Sequence, residues 1–277
     1  MTKYNICEKY AKLQEKLKID CKKCSGLCCV ALFCIKSDGF PANKESGVPC
    51  QYLMNDFRCN IHSNLISKNM RGCLAYDCFG AGQKVTQSCY PNTDWKSNAD
   101  KGEEIFQVFI IVYQLHQMEW YLIEALSMVL DENLKSDIES LISENEQMTR
   151  QSPNEILHLN IEKYRLNVNQ KLKKVSNLIV TDAFKEKNSN DFFGKNFKCA
   201  NLDKQDFSMA ILIAANLEGC SLNGTSFLGA DLRDTNIQNT DLGSSIFLTQ
   251  MQINSAKGNV NTNLPKNLIR PASWQRL

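Results

Sequence analysis

From Phe192 onward every fifth residue is large and apolar: Phe192, Phe197, Leu202, Phe207, Leu212, Leu217, Leu222, Phe227, Leu232, Ile237, Leu242 and Phe247. Two places before each of these, between 195 and 245, stands Ala, Cys, Ser or Thr, with Lys195 and Gln205 the exceptions. A period of five is neither the strand's two nor the helix's, about 3.6. Large and small side chains pointing inward by turns, with polar residues between, are what a narrow repeat coil needs to fill its interior. Upstream the pattern is helical. Residues 4–18 place Tyr4, Cys7, Ala11, Leu13 and Leu17 near one face, and 103–130 open with acidic residues and turn strongly apolar. Residues 133–149 line up Leu134, Ile138, Leu141 and Ile142, and a third long helix is expected from Ser152-Pro153-Asn154-Glu155 to about Phe184. Short loops between the last three predict an antiparallel helical bundle. The polar stretch 185–191 reads as a linker, and 21–100 breaks into short pieces with little apolar periodicity.

Units such as Ala200-Asn201-Leu202, Ala215-Asn216-Leu217 and Ala230-Asp231-Leu232 resemble the pentapeptide-repeat family. The resemblance implies a right-handed quadrilateral β-helix of about three coils, only about 14 Å long at about 4.8 Å per level. Pro265, Pro271 and Trp274 then suggest an extended tail packed back on the protein. Quinolone-resistance members of that family mimic duplex DNA and bind DNA gyrase through a long acidic rod. Residues 200–245 here hold Asp203, Asp206, Glu218, Asp231, Asp234 and Asp241 against Lys204 and Arg233, a mild acidity on a short body. Gyrase thus enters as a possible partner on resemblance alone.

Composition alters the picture in one respect. The chain has 277 residues, 43% hydrophobic and 22% charged, with a net charge of +2, so no global field favours nucleic acid or an anionic membrane. The start lacks an apolar signal region and the longest apolar run, Val108 to Tyr113, cannot span a bilayer, so a cytoplasmic protein is expected. The cysteines are what stand out: 13, of which 11 lie in the first 89 residues. In a reducing compartment such clustering points to metal or redox chemistry rather than disulfides.

The cluster reads Cys21-x2-Cys24-x3-Cys28-Cys29, then Cys50, then Cys59-x2-His62, then Cys73-x4-Cys78. Two local hooks, one of two thiolates and one of thiolate plus imidazole, follow the logic of a structural zinc site. Nine candidate metal ligands suffice for one or two zinc ions, and spacing leaves iron or an iron–sulfur cluster open. Cys7, Cys34 and Cys89 are read as buried free thiols. Through CSGLCC at 24–29, PCQYL at 49–53 and CNIH at 59–62 the segment also resembles the zinc- or iron-chelating CxxCxxCC domain family, which implies metal binding. With GVPCQYL, YDCFGAGQ and the RPASW tail, nearly the whole chain looks like one bacterial pentapeptide-repeat architecture.

The expected class is a multidomain α + β-solenoid chain. A cysteine-rich metal-binding module spans 1–100, a helical bundle 101–187, the β-helix 188–258 and an extended tail 259–277. The expected function is a non-enzymatic metal-binding scaffold for protein–protein interaction. A metal-dependent enzyme or redox sensor built on the cysteine cluster is the alternative. His116 with Glu119 in the long helix, and His158, are taken as core or satisfied side chains; Phe79-Gly80-Ala81-Gly82-Gln83 as a turn; and Lys163, Arg165, Lys171, Lys173 and Lys174 as a solvated face. Cys220 occupies a small inward repeat position.

Overall fold

The computed structural model describes residues 8–181 and 190–275. These separate into two compact units, one of residues 8–73 and 77–172, the other of 74–76, 173–181 and 190–275. Among the described residues no helix is long and apolar enough to cross a membrane.

In the first unit the opening helix α1 is Glu8–Lys16, with Tyr10, Leu13 and Leu17 buried at its face and end. Ala11, expected on that face, is exposed, while Tyr4 and Cys7 lie outside the described residues. Short helices α2 (Leu27–Ala31), α3 (Arg71–Ala75) and α4 (Ala81–Lys84) punctuate the cysteine-rich stretch. The glycine-rich sequence Phe79 to Gln83, expected as a turn, starts α4: Gly80 precedes it at φ 72°, a left-handed backbone that a side chain would resist. The stretch also has more core than its sequence suggests. Leu27, Val30, Phe79, Ala81 and Val85 are buried, and the Phe79 ring lies 6.0 Å from Tyr113 and 5.9 Å from Trp120. Burying a Leu or Phe side chain contributes about 1.5–3 kcal/mol, so this half of the stretch has an apolar core of its own. Residues 32–60 differ: none of them is buried.

Those aromatic partners sit on α5 (Gly102–Leu126), whose Glu103 and Glu104 lie in the first turn and whose later residues, Met118 to Ala125, are all buried. Helix α6 (Glu132–Met148) begins at Asp131, whose carboxylate accepts from Leu134 N at 2.7 Å, and packs Ile138, Leu141 and Ile142 inward. The expected third helix is two. Ser152 and Glu155 form the capping box of α7 (Pro153–Leu157), but α7 stops at His158 and α8 (Ile161–Asn177) starts afresh. The reason is a second cap: the Asn160 side chain accepts from Lys163 N at 3.0 Å and holds the new first turn. The expected extension to Phe184, like the linker, reaches beyond the described residues. A buried polar tie links the helices: Asn145 Nδ2 donates to Leu115 O (2.9 Å) and to Tyr164 Oη (3.1 Å), and Tyr164 Oη donates to Leu141 O (2.9 Å).

In the second unit the expected α + β-solenoid class and its right-handed quadrilateral β-helix need correction. Among the described residues there is no β-strand and no sheet; the regular structure is helical. The repeats instead form turns joined by single-residue parallel bridges between positions twenty apart, Asn196 to Asn216, Asn201 to Ser221 and Ser221 to Asp241 among them. The backbone explains why pairing goes no further. Every fifth residue, from Gly194 through Cys199, Lys204, Met209, Ala214 and Gly219 to Asn239, has positive φ, which ends each extended stretch before a strand can grow.

The five-residue pattern nonetheless specifies the interior. Leu202, Phe207, Leu212, Leu217, Leu222, Phe227, Leu232, Ile237, Leu242 and Phe247 are all buried. The small positions do more than leave room. Thr225, Thr235, Thr240 and Ser245 donate their hydroxyls to the carbonyls of Leu202, Leu212, Leu217 and Leu222 at 2.7–3.0 Å, and Cys220 Sγ donates to Phe197 O at 2.9 Å. Helix α9 (Gln250–Ser255) follows the last repeat, and Gln252 Nε2 donates to Phe227 O and Ala230 O at 2.8 and 2.9 Å. The tail ends in a helical turn, Ala272–Gln275, that buries Trp274 against Gly258.

Candidate functional site

The cysteine neighbourhood is built around α2. Gly26, at φ 71°, turns the chain into that helix; Leu27, Val30 and Ala31 face the core, leaving Cys28 and Cys29 half-buried at its other side. The Cys28 and Cys29 sulfurs are 4.0 Å apart. Cys50 N donates to Cys29 O at 2.9 Å, pinning the Cys50 loop to α2. A tight turn, Leu53 paired with Cys59, then brings Cys59 back toward it. Lys44 Nζ is fixed by the carbonyls of Val30, Glu45 and Val48 at 2.8–3.1 Å.

Cys29 is the electrostatic hub. Its charge acts on Cys21, Cys24, Cys28, Cys34, Cys50, Cys59 and Cys73, while Cys78 interacts with Cys24 and Cys28. The Cys28 thiol donates toward Cys29 and the Lys44 ammonium faces it, so the Cys29 thiol is held below the usual value and that of Cys28 well above it. Burial pushes Cys73 and Cys78 up to about 12 and raises Cys21, Cys24, Cys50 and Cys59. Among the described residues every cysteine is a free thiol.

Of the nine sequence-predicted ligands, Cys28 and Cys29 are brought together, Cys21, Cys24, Cys50, Cys59 and Cys73 lie within electrostatic reach of Cys29, Cys78 lies within that of Cys24 and Cys28, and His62 is exposed. Among the described residues, no three His, Cys, Asp or Glu side chains gather tightly enough to hold an ion. The pair Cys28–Cys29 does fit one: with metal–sulfur bonds of about 2.3 Å, two corners of a tetrahedron lie about 3.8 Å apart. On the far side Cys24 and Cys78 flank Gly82, where an added Cβ would lie 2.6 Å from Cys24 Sγ and 3.9 Å from Cys78 Sγ. Cys34, expected as a buried free thiol, is half-buried and stands within reach of Cys29, Cys50 and Cys73; Cys89 is likewise half-buried, and Cys7 lies outside the described residues. Cys34 lacks any hook in sequence, and only the antiparallel bridge from Cys34 to Lys44 places it there.

His116 and Glu119 have different fates. His116 is buried and donates Nδ1–H to Phe79 O at 2.7 Å, while Glu119 is buried with Oε1 unpartnered among the described residues. His158 is exposed and bonded to Asn154 O at 2.7 Å. On the lysine-rich face of α8, Lys171 pairs with Asp137 and Arg165 with Glu162.

The pentapeptide-repeat family, in eight copies, matches residues 210–247. No solved structure matches the chain. Over 265 residues, 94% of this chain and 95% of the other, the sequence is 41% identical to YybG of Bacillus subtilis (strain 168), itself described as uncharacterized. The chain is a pentapeptide-repeat protein and belongs to the family of YybG.

Proposed function

We propose that this protein is a non-enzymatic scaffold whose repeats present a surface to a protein partner and whose cysteine-rich segment is stapled by metal, zinc in one or two ions or else iron. The observation that carries the metal reading is the pair of sulfurs 4.0 Å apart at Cys28 and Cys29, with the second biased toward thiolate at the centre of six further cysteines. Thiolate is the form that binds metal, and a divalent cation would relieve the mutual repulsion that raises the neighbouring thiols. Cys28 and Cys29 would supply two ligands, with Cys21, Cys24, Cys50, Cys59, Cys73, Cys78 and His62 the pool for the others. The bound ion would supply cohesion. Residues 32–60 bury no side chain, so they are the part that needs it. A partner such as DNA gyrase rests on resemblance of the repeats, and addition of the protein to a supercoiling assay tests it.

Elemental analysis of protein purified without oxygen is expected to find a stoichiometric transition metal, colourless if zinc and brown if an iron–sulfur cluster. Chelation is expected to expose amides of 32–60 to hydrogen exchange while those of the repeats keep their protection. Metal-free protein with 32–60 equally protected would overturn the reading. A second reading, thiol redox at Cys29, is favoured by its lowered pKa; alkylation of Cys29 ahead of every other cysteine in metal-free protein is its mark.

A further inference from the structure

Glu119, whose Oε1 is buried without a partner among the described residues, lines a cavity of about 740 Å³ in the first unit, within the size range of small-molecule sites. Nine charged or titratable side chains share its walls with Glu119: Glu15, Lys16, Lys18, Asp20 and Lys23 from α1 and the segment after it, Lys84 from α4, His116 from α5, and Glu146 and Arg150 from α6; Lys18 is paired with Glu15 and Lys23 with Asp20. Arg150 is paired with Glu146 at 2.9 Å. Among the described residues no carboxylate lies within ion-pair distance of the Lys16 or Lys84 ammonium, Glu119 included. His116 spends its one N–H on Phe79 O and, with burial pushing its pKa down to about 4, is neutral and brings no charge.

We infer that this cavity binds a small oxyanion, the carboxylate or phosphate group of a metabolite, between the Lys84 and Lys16 ammonium groups and the carboxyl of Glu119. Neither ammonium group has an ion-pair partner and both residues line this one cavity, which favours negative charge there. A bound oxyanion that accepts the Glu119 proton gains a charge-assisted hydrogen bond from the carboxyl, while Oε1 itself stays sealed from solvent. Burial, with Glu146 repelling and Lys16, Lys84 and Arg150 opposing, raises the Glu119 pKa to about 7, so the donor form is present at neutral pH. A cationic or purely apolar ligand would leave both lysines facing it uncompensated.

Titration of the full-length protein with sulfate, inorganic phosphate and succinate tests this, reading the unfolding temperature and the binding isotherm. At least one is expected to bind saturably; preference for phosphate over succinate marks a phosphate-bearing ligand, the reverse a carboxylate. Lys84→Met is expected to weaken that binding about tenfold or more, and Lys16→Met, at an exposed position that the fold does not need, several-fold. With sulfate, whose charge is constant across neutral pH, wild type is expected to weaken about tenfold from about pH 6 to 8 as Glu119 loses its proton. Glu119→Gln keeps a donor and is expected to abolish that fall. No saturable binding by any of the three, or equal binding by wild type and both lysine variants, overturns the inference. If Lys84→Met does not fold, Lys16→Met and Glu119→Gln decide it.

Discussion

At the residue scale the repeat asks for a left-handed backbone every fifth position, and the chain supplies glycine at only some of them. Cys199, Lys204, Met209, Ala214, Asp234 and Asn239 sit at φ of 55–58°. For residues other than Gly, Asn or Asp this conformation carries strain of about 1 kcal/mol. Gly229 shows what else the position controls. It has φ 65°, and a Cβ there would lie 2.6 Å from Met209 Sδ, so the methionine of one level lies over the glycine of the next. Gly229→Ala is expected to lower stability by about 1–2 kcal/mol, from strain and contact together. Adding Met209→Ala should restore the contact part and leave the strain. Urea unfolding of the two variants separates these terms; an unchanged midpoint in Gly229→Ala would contradict both.

At the element scale the ends of the repeat hold the weak points, because the last turns leave carbonyls with no level beyond to bond them. Gln252 answers two of these, donating to Phe227 O and Ala230 O, while its own carbonyl oxygen accepts from Thr249 N at 2.8 Å in a capping box. Gln252→Ala is expected to cost about 1–2 kcal/mol, since Ala230 O loses its donor and Phe227 O keeps only Ala230 N. Hydrogen exchange should localise the loss to the last repeats, and a uniform loss across both units would refute the role. What the sequence made legible here follows from geometry. Each Leu, Ile and Phe on the five-residue period from Leu202 to Phe247 is buried, because inward spacing is written directly in side-chain size; Ile246, buried beside Phe247, lies off that period. It could not predict that no strand forms, because strand length depends on the φ of Cys199, Lys204 and Met209, residues with no intrinsic preference for turning left. The same limit hid the break at Asn160, whose cap competes with an otherwise continuous helical pattern, and the core beneath the cysteines, which rests on Phe79 reaching α5 across a long sequence gap. In the candidate site the adjacency of Cys28 and Cys29 is local and legible in the sequence, whereas the two hooks, Cys21 with Cys24 and Cys59 with His62, are not seen gathered with a third ligand among the described residues. Lys84 and Glu119 were not legible, since only packing brings a short helix and a long one to one cavity.

At the scale of the whole molecule, the pH dependence of stability exposes the two buried titratable groups of α5 as opponents. Glu119 has its pKa raised from 4.5 to about 7, mainly by burial, so the folded chain keeps a proton that the unfolded chain gives up; this contribution is full below pH 4.5 and lost as pH rises through about 7. His116 has its pKa lowered from 6.5 to about 4, again by burial, so the unfolded chain takes a proton that the folded one refuses; this contribution is full above pH 6.5 and lost as pH falls through about 4. Each term is on the order of 3 kcal/mol, and between the two ordinary values they run in opposite directions. Wild type should therefore owe little slope to this pair in mildly acidic solution. Glu119→Gln removes the falling term and should leave stability that climbs with pH from about 4 to 6.5. His116→Gln, whose amide can still donate to Phe79 O, removes the rising term and should leave stability that declines from about 4.5 to 7. Urea midpoints measured across that range, each variant referred to wild type so that the exposed carboxylates cancel, isolate the removed term with its sign reversed: Glu119→Gln gains on wild type from about pH 4.5 to 7, and His116→Gln loses on it from about 4 to 6.5. Opposite signs are the expected result. Slopes of the same sign, or none in either variant, would mean that water or a bound ion already satisfies Glu119 and that its carboxyl is charged in the folded protein.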